Sequence, residues 1–195
     1  RVNLSVVDTA GHIHYGAAAR AARAVDEQLK RIKEKADELG YRMIVTADHR
    51  QGDQMKDKDG KTRHAHAPGR VRLVYIDPEN EDVKLHQEGM GLVNVARTIA
   101  EAAGITNIPK DWGWEPSIFA EKLKPRQAEE PERVIEIILD GVGWNEDKNI
   151  GEGVDAVRDH MPYFQSLLKQ YPWTPAEASG EAVGLRNYNH VLKEE

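Results

Sequence analysis

Acidic and histidine side chains in this sequence follow short apolar runs, at spacings that would let them share metal ions. Asp48 and His49 come directly after the largely apolar residues 44–47, and Asp140 follows the apolar residues 137–139. The full set of candidate ligands is Asp8, His12, Asp48, His49, His64, His66 and Asp140. Carboxylates and imidazoles together suit Mn²⁺ or Zn²⁺, and two such ions about 4 Å apart can hold both oxygens of a phosphoryl transfer.

Each of these residues also has an ordinary structural role open to it. A single Asp at a strand end commonly caps a turn or a helix, and Asp-Gly is a frequent turn. We interpret three other histidines as ordinary surface residues: His14, His86 and His160. The metal hypothesis rests on coincidence, because three apolar runs end in an acid and histidines stand near two of them. If the strand stays extended at Asp48 and His49, their side chains point to opposite faces and each could bind a different ion. If the chain turns there, both could bind one ion.

Hydrophobic periodicity predicts the elements that would position these residues. Short β-branched runs predict strands at residues 2–7, 42–46, 71–76 and 134–139. Apolar stripes predict helices at residues 17–39, 93–103 and 157–171, with a short one at 119–123. Polar residues predict loops at 8–16, 50–68 and 176–195. The first strand, helix and strand predict a right-handed βαβ unit, and the acidic strand ends would then meet at the carboxyl edge of a parallel sheet.

The size and composition suit a soluble globular chain of one sizeable domain or two small ones. The chain has 195 residues, 39% hydrophobic and 31% charged, with a net charge of −6, which argues against a nucleic-acid-binding surface. Cysteine is absent from the sequence, which excludes disulfides and thiolate ligands. No apolar run is long enough to span a membrane and no signal peptide is recognisable, so we expect no membrane partner and a cytoplasmic location.

Several motifs resemble those of the cofactor-independent phosphoglycerate mutases of the alkaline phosphatase superfamily. One is the Thr-Ala-Asp-His sequence at residues 46–49, with Gln54-Met55 shortly after it and His66 seventeen residues after His49. Another is Asp8 followed by His12, with residues 24–27 in the long helix beyond. Residues 93–105 resemble the final helix of that family. Residues 137–141 and 178–185 resemble its amino-terminal segment.

The resemblance implies a fold and a site. The implied fold is three-layer α/β, with an alkaline-phosphatase-like core, a mostly parallel sheet and helices on both faces. The implied metal sites are one of Asp8, His12 and His66 and another of Asp140, Asp48 and His49. The ions would be Mn²⁺ or Zn²⁺, or else Mg²⁺, up to two in number, and the implied partner is a small phosphorylated molecule.

The order of the segments departs from that family. Residues 1–117 resemble its carboxyl-terminal part and residues 134–195 its amino-terminal part. Residues 118–133 between them are predicted to be a charged linker. This arrangement predicts a single, circularly permuted domain without the family's transferase domain. The swapped order, the initial Arg1 and the absence of cysteine favour an engineered or computationally designed chain.

Two further departures lie in the predicted site. The family's nucleophilic serine should follow the Gly184-Leu185 motif, but residues 184–191 contain neither Ser nor Thr, and Ser179 is a poor substitute. His190 could fill that gap as a ligand, although a solvated tail residue is the simpler interpretation. Arg50 replaces a glycine directly after the Asp-His pair, where it would either clash with the metals or contact phosphate.

Two functional hypotheses follow from these observations. The first is a scaffold that keeps the metal ligands of its template, with or without bound ions, and lacks mutase activity. The alternative is a weak metal-dependent phosphomonoester hydrolase in which a water activated by the metal attacks phosphorus directly, because the serine is missing. Turnover of an aryl phosphate distinguishes the two.

Overall fold

The architecture is a mixed five-stranded sheet with helices packed against it. The computed structural model describes residues 1–57, 59–80, 82–105, 107–124, 132–147 and 151–185. The strands are β1 (Val2–Asn3), β2 (Arg42–Thr46), β3 (Arg70–Ile76), β4 (Val134–Ile138) and β5 (Trp173–Glu177). The helices are α1 (Val6–Gly11), α2 (Tyr15–Glu38), α3 (Val95–Ala102), α4 (Ala156–His160) and α5 (Pro162–Gln170). None of these described helices combines the length and the apolar character needed to cross a membrane.

The strand order in the sheet is β1-β4-β2-β3-β5. Strand β4 pairs in parallel with both β1 and β2, whereas β3 pairs antiparallel with β2 and β5. Four strands therefore run in one direction and β3 runs against them. The predicted α/β fold with a mostly parallel sheet is confirmed. Because β4 lies between β1 and β2, the two ends of the sequence build one sheet together.

The centre of the sheet is apolar on both faces, as parallel strands covered by helices require. Every residue of β2 is buried, as are residues 71–76 of β3. Met43, Ile44, Leu73, Ile76 and Ile137 are fully buried side chains of this core. Such a core gives the strand ends little freedom, so the polar residues that follow the strands are held in fixed positions.

Helix α2 packs its small apolar stripe inward, as its periodicity predicts. Ala18, Ala22, Val25 and Leu29 are all buried along this stripe. Asp26 is also buried, and its two carboxylate oxygens accept hydrogen bonds of 2.8 Å from the backbone N–H groups of residues 163 and 164. A carboxylate at this position satisfies the free amides at the amino terminus of α5 and fixes the angle between the two helices.

The predicted strand at residues 2–7 is wrong in its second half. Only Val2–Asn3 is a strand, and Val6–Gly11 forms α1. A short valine-rich run fits a buried strand and a short helix equally well, and here Ser5 begins a helix whose first turn carries Asp8. Asp8 therefore lies on a helix and not at a strand end or in the predicted loop.

Prolines explain two other differences. The predicted helix at 157–171 is two helices, because Met161 precedes Pro162 and adopts a non-helical φ of −121° and ψ of 62°. Strand β5 was not predicted, because the sequence indicates the end of the helix after residue 171 and a loop at residues 176–195. An edge strand tolerates Pro175 because one side of it needs no partner. The predicted short helix at 119–123 is also absent: Phe119 forms an antiparallel bridge with Leu85.

An arginine stacked between two indoles ties the loop after β4 to the sheet. The guanidinium of Arg72 lies 3.7 Å from the ring centroid of Trp144 and 3.6 Å from that of Trp173. Burial lowers the pKa of Arg72 to about 10. The stack holds the segment that continues from Asp140, and so helps to fix one wall of the candidate site.

Asp155 should make the stability of this chain depend on pH. Burial, and secondarily the nearby Asp53 carboxylate, raises the pKa of Asp155 to about 7. The folded chain therefore binds a proton that the unfolded chain releases near pH 4, so this stabilisation is present at low pH and is lost as pH rises through 7. We expect Asp155→Asn, which can keep the cap on the N–H of Arg158, to be more stable than wild type by about 2 kcal/mol at pH 8.

Urea unfolding of both proteins at pH 5 and pH 8 measures this effect. The difference between them should be smaller at pH 5 than at pH 8, because the stabilisation falls between about pH 4 and pH 7. A difference that stays constant across this range would contradict the protonation of Asp155 in the folded state.

Candidate metal centre

Three elements bring the predicted ligands together at one edge of the sheet. Strand β2 ends at Thr46, and the chain then bends at Asp48 and His49. Strand β4 runs parallel to β2 and pairs with it up to Ile138, so Asp140 emerges at the same edge. Helix α1 adds Asp8 from the side of β1. The parallel strand ends therefore create the position for a ligand, as open α/β sheets generally do.

Gly141 allows helix α1 to approach this edge closely. Its φ is +76°, a conformation that other residues rarely adopt. A Cβ atom at this position would lie 2.8 Å from the Cα of Asp8 and 2.9 Å from its Cβ. Any larger residue at 141 would push α1 outward and separate the carboxylates of Asp8 and Asp140.

One carboxylate oxygen of Asp8 is the centre of the cluster. Oδ1 of Asp8 lies 3.2 Å from Nε2 of His66, 3.3 Å from Nε2 of His12 and 3.7 Å from Nε2 of His49. The rings of His49 and His66 stack with their centroids 3.7 Å apart. Asp8, His12 and His66 thus form one compact group, as the sequence analysis predicts for the first site.

The second group has a composition different from the predicted one. It consists of Asp8, His49 and Asp140, with 3.3 Å between Nε2 of His49 and Oδ1 of Asp140. Asp48 lies at the edge of this group, where its Oδ1 is 3.8 Å from Nε2 of His49 and accepts a 3.3 Å hydrogen bond from the N–H of Gly141. The sequence analysis missed that Asp8 belongs to both groups, and no spacing in the sequence signals it.

The carboxylates in this region repel one another. Burial raises the pKa of Asp140, and the charges of Asp48 and Asp8 raise it further, while Asn3 and His49 act in the opposite direction. The amide of Asn3 donates a 3.2 Å hydrogen bond to Oδ2 of Asp140 and partly offsets this repulsion. A cation placed among these groups would favour their ionised forms.

The residues present fit a divalent metal ion. Oδ1 of Asp8 is buried and accepts no hydrogen bond, which is costly for a carboxylate unless a cation contacts it. Two ligand atoms bound to one tetrahedral ion at about 2.0–2.1 Å lie roughly 3.3 Å apart. The shortest separations in the cluster are 3.2 and 3.3 Å. Imidazole and carboxylate donors suit Zn²⁺ and Mn²⁺.

A reciprocal pair of hydrogen bonds orients His12. Its Nδ1 donates to the carbonyl of His64 at 2.7 Å, and Nδ1 of His64 donates to the carbonyl of His12 at 2.9 Å. A carbonyl only accepts, so each Nδ1 carries the proton and Nε2 of His12 keeps its lone pair toward Asp8. The sequence analysis includes His64 among the candidate ligands, but the structure gives it this supporting contact and places it in neither compact group.

Removing the His64 side chain should weaken metal binding without unfolding the chain. We expect His64→Ala to raise the Kd for Mn²⁺ or Zn²⁺ by about tenfold, because outer contacts of this type orient a ligand histidine. His64→Asn can still donate to the carbonyl of His12 and should recover part of the affinity. Calorimetric titration of the metal measures both changes.

The exposed Lys61 of the same loop provides the control. Lys61→Ala should bind metal as wild type does. If His64→Ala and Lys61→Ala have equal affinities, the contact with His12 does not position the ligand.

Arg50 is committed to the loop that it begins. Its Nε donates to Asp53 at 2.7 Å, one terminal nitrogen to the carbonyl of Pro68 at 3.0 Å, and the other to Gln54 at 3.4 Å. Two alternatives were predicted for this arginine, a clash with the metals and a phosphate contact. All three nitrogens of the side chain are engaged in these contacts, which support the loop. The contacts favour neither the clash nor the phosphate contact.

The predicted position of a nucleophilic hydroxyl lies only partly within the described residues. Ser179 precedes a 3₁₀ turn at Gly180–Val183, and it makes no side-chain capping bond there. Residues 186–195, including His190, lie outside the described residues.

Comparison with known proteins agrees with this geometry. Residues 1–107 match the model of the Metalloenzyme superfamily. The chain is similar to 2,3-bisphosphoglycerate-independent phosphoglycerate mutases: 42% identity over 78 residues with that of Hahella chejuensis, covering 40% of this chain and 15% of the relative. The mutase of Sulfurimonas denitrificans is 36% identical over 111 residues, covering 56% of this chain and 22% of the relative. The mutase of Malacoplasma penetrans is 38% identical over 113 residues, covering 56% and 21%.

The matched part is a small share of each relative. The chain spans between 15% and 22% of the length of these three mutases. No solved structure is a significant match. The family model nevertheless covers more than half of the sequence and includes five of the six residues assigned to metal sites: Asp8, His12, Asp48, His49 and His66. On this basis the chain belongs to the Metalloenzyme superfamily.

Proposed function

We propose that this chain binds two divalent metal ions and hydrolyses phosphomonoesters of small molecules directly, without a covalent intermediate. The observation that carries the proposal is the single oxygen of Asp8 that faces Nε2 of His12, His49 and His66 within 3.7 Å. Asp8 would be shared by both ions, His12 and His66 would complete one site, and His49 with Asp140 the other. Asp48 lies near enough to join the second site.

The chain's own residues have separate tasks in this proposal. A divalent ion, when bound, supplies Lewis acidity to a phosphoryl oxygen and lowers the pKa of a coordinated water. His12, held by His64, keeps its Nε2 lone pair available. Asn3 holds Asp140 in place from the neighbouring strand. Arg50 is engaged within its loop, and we assign no other cationic side chain to contact the phosphate group. We therefore expect a low affinity for phosphate esters.

Hydrolysis of p-nitrophenyl phosphate in the presence of Mn²⁺, Zn²⁺ or Mg²⁺ tests this function. Elemental analysis of the purified protein first identifies the ions that it carries. We expect slow turnover that requires metal and is lost in His49→Ala, which removes one ligand from the second group. His86→Ala changes a histidine outside this cluster and should keep full activity. Absence of turnover with every metal would refute the hydrolase.

A second candidate is a metal-binding domain without turnover. The absence of Ser and Thr from residues 184–191 and the engaged Arg50 favour it. The relatives are named for a mutase reaction. We do not propose that reaction for this chain, because the matched segment is about a fifth of their length. Metal binding with no hydrolysis is the result expected for this candidate.

The proposed domain organisation is a permuted one. Residues 1–117 would correspond to the carboxyl-terminal part of the family, residues 118–133 to a linker and residues 134–195 to the amino-terminal part. The insertion of β4 between β1 and β2 supports one domain formed from both parts. An engineered origin remains a hypothesis based on the sequence order.

A further inference from the structure

A cavity of about 430 Å³ shares no lining residue with the metal centre. It is lined by residues of α3, of the segments that follow it and of the loop after β3, among them His86, Arg97, Glu101, Trp114, Phe119 and Lys122. Residue 102, at the end of α3, accepts a 2.7 Å hydrogen bond from Arg42 at the start of β2. The metal ligands follow the other end of β2, so the cavity and the metal centre occupy opposite edges of the sheet. Its volume is in the range of small-molecule sites.

Hydrogen bonds fix the walls of this cavity. The carboxylate of Glu101 accepts from Nε of Arg97 at 2.9 Å and from Oγ of Ser117 at 2.6 Å, so both of its oxygens are used. The N–H of residue 118 donates to Thr98 at 3.1 Å, and the N–H of His86 donates to the carbonyl of residue 118 at 2.9 Å. A ligand would therefore enter a preformed site and would not have to order it.

The uncommitted charge in the cavity is the positive charge of Lys122. Glu101 is neutralised by Arg97, and Glu121 pairs with Lys84, which lies outside the lining, at 2.9 Å. Among the described residues, the side chains of Lys122 and His86 have neither a hydrogen bond nor an ion pair. These two groups are free to contact anionic oxygens, and no carboxylate of the lining is left to compete for them.

The same cavity offers aromatic surface. Trp114 is 37% exposed although it lines the cavity, and the centroid of its ring lies 5.1 Å from that of Trp112. Phe119 is nearly buried and packs its ring edge-on against Tyr75 at 4.9 Å, which makes a firm apolar floor. Flat rings stack well on such surfaces.

We propose that this cavity binds a small organic oxyanion that carries a planar ring. The ring lies against Trp114, and the carboxylate or phosphate group lies beside Lys122 and His86. The proposal does not depend on the metal centre or on phosphoester hydrolysis.

Calorimetric titration with 2-naphthoate tests the proposal, and neutral 2-naphthalenemethanol is the matched probe. Both titrations use the full chain with EDTA, so that a carboxylate cannot bind at the metal centre. We expect 2-naphthoate to bind with a Kd of about 0.1–1 mM and the alcohol at least about tenfold more weakly. Equal affinities for the two probes, or no binding of 2-naphthoate at about 10 mM, would overturn the proposal.

Variants locate the binding. Lys122→Gln should weaken 2-naphthoate about tenfold and leave the alcohol unaffected, whereas Trp114→Ala should weaken both probes. Lys124→Gln changes an exposed lysine that does not line the cavity and should match wild type. If Lys124→Gln weakens 2-naphthoate as much as Lys122→Gln does, the binding reflects general surface charge and the proposal fails. The three substituted residues are exposed, and a thermal melt of each variant checks that it folds.

Discussion

Asp8→Asn is expected to abolish the stabilisation of this chain by divalent metals at both groups of ligands. The substitution preserves shape and removes one negative charge from the oxygen that faces three histidines. Wild-type protein at a metal concentration one hundred times the Kd should gain about 2.7 kcal/mol in unfolding free energy for each ion bound, with a matching rise in Tm. Asp8→Asn should show no such rise. Without metal it should be as stable as wild type or slightly more so, because repulsion with Asp140 is relieved.

Two variants sharpen this result. Asp140→Asn alters one group only, so calorimetry should report a stoichiometry falling from two ions to one, whereas Asp8→Asn should lose both. Asp59→Asn changes an exposed acid of the long loop and should behave as wild type. A full metal-induced rise in the Tm of Asp8→Asn would show that the shared oxygen is not a ligand.

Arg42→Met is expected to be the most destabilising single substitution at the other edge of the sheet. Arg42 is only 3% exposed, and its guanidinium contacts Asp77 at 2.9 Å, Glu132 at 3.2 Å and the carbonyl of Ala102 at 2.7 Å. Removing one member of a buried ion pair leaves the other charge without its main compensation, which typically costs about 3–5 kcal/mol. Urea unfolding should therefore show a large fall in the midpoint with an unchanged slope.

The companion variant distinguishes a lost charge pair from poor packing. In Arg42→Met with Asp77→Asn, the buried charge of residue 77 is removed while its side-chain oxygen can still accept from the N–H of Glu79, and part of the lost stability should return. Lys84→Met removes an exposed ion pair with Glu121 and should not change the midpoint measurably. If the double variant is less stable than Arg42→Met alone, the buried charge of Asp77 is not the cause of the loss.

Local sequence patterns predict much of this fold. Strand β2 has the predicted bounds, and helix α2 differs from its prediction only by an earlier start and an end one residue sooner. Both are long or strongly apolar segments whose periodicity has one interpretation. The run at residues 2–7 has two, and the structure divides it between β1 and the start of α1. Pro175 concealed β5, because proline is excluded from central strands but not from edge strands.

The residues of the candidate site were easier to predict than their arrangement. Apolar runs that end in acids identified Asp48 and Asp140, and histidine spacing identified His66. The shared position of Asp8 depends on α1 approaching Gly141, a contact across more than 130 residues of sequence. The mutual hydrogen bonds of His12 and His64 span 52 residues and involve backbone carbonyls, which carry no sequence signal.

The position of β4 between β1 and β2 has a consequence for synthesis and folding. Until residues 134–138 leave the ribosome, the apolar edge of β2 that β4 will cover has no partner. An open, apolar strand edge of this kind is a template for pairing with other chains, so incomplete chains should aggregate more readily than the finished protein. The pairing of β2 with β4 also joins residues about ninety positions apart, which slows the folding step because a long loop must close first. Metal binding at the second group has to wait for the same event, since Asp140 arrives with β4.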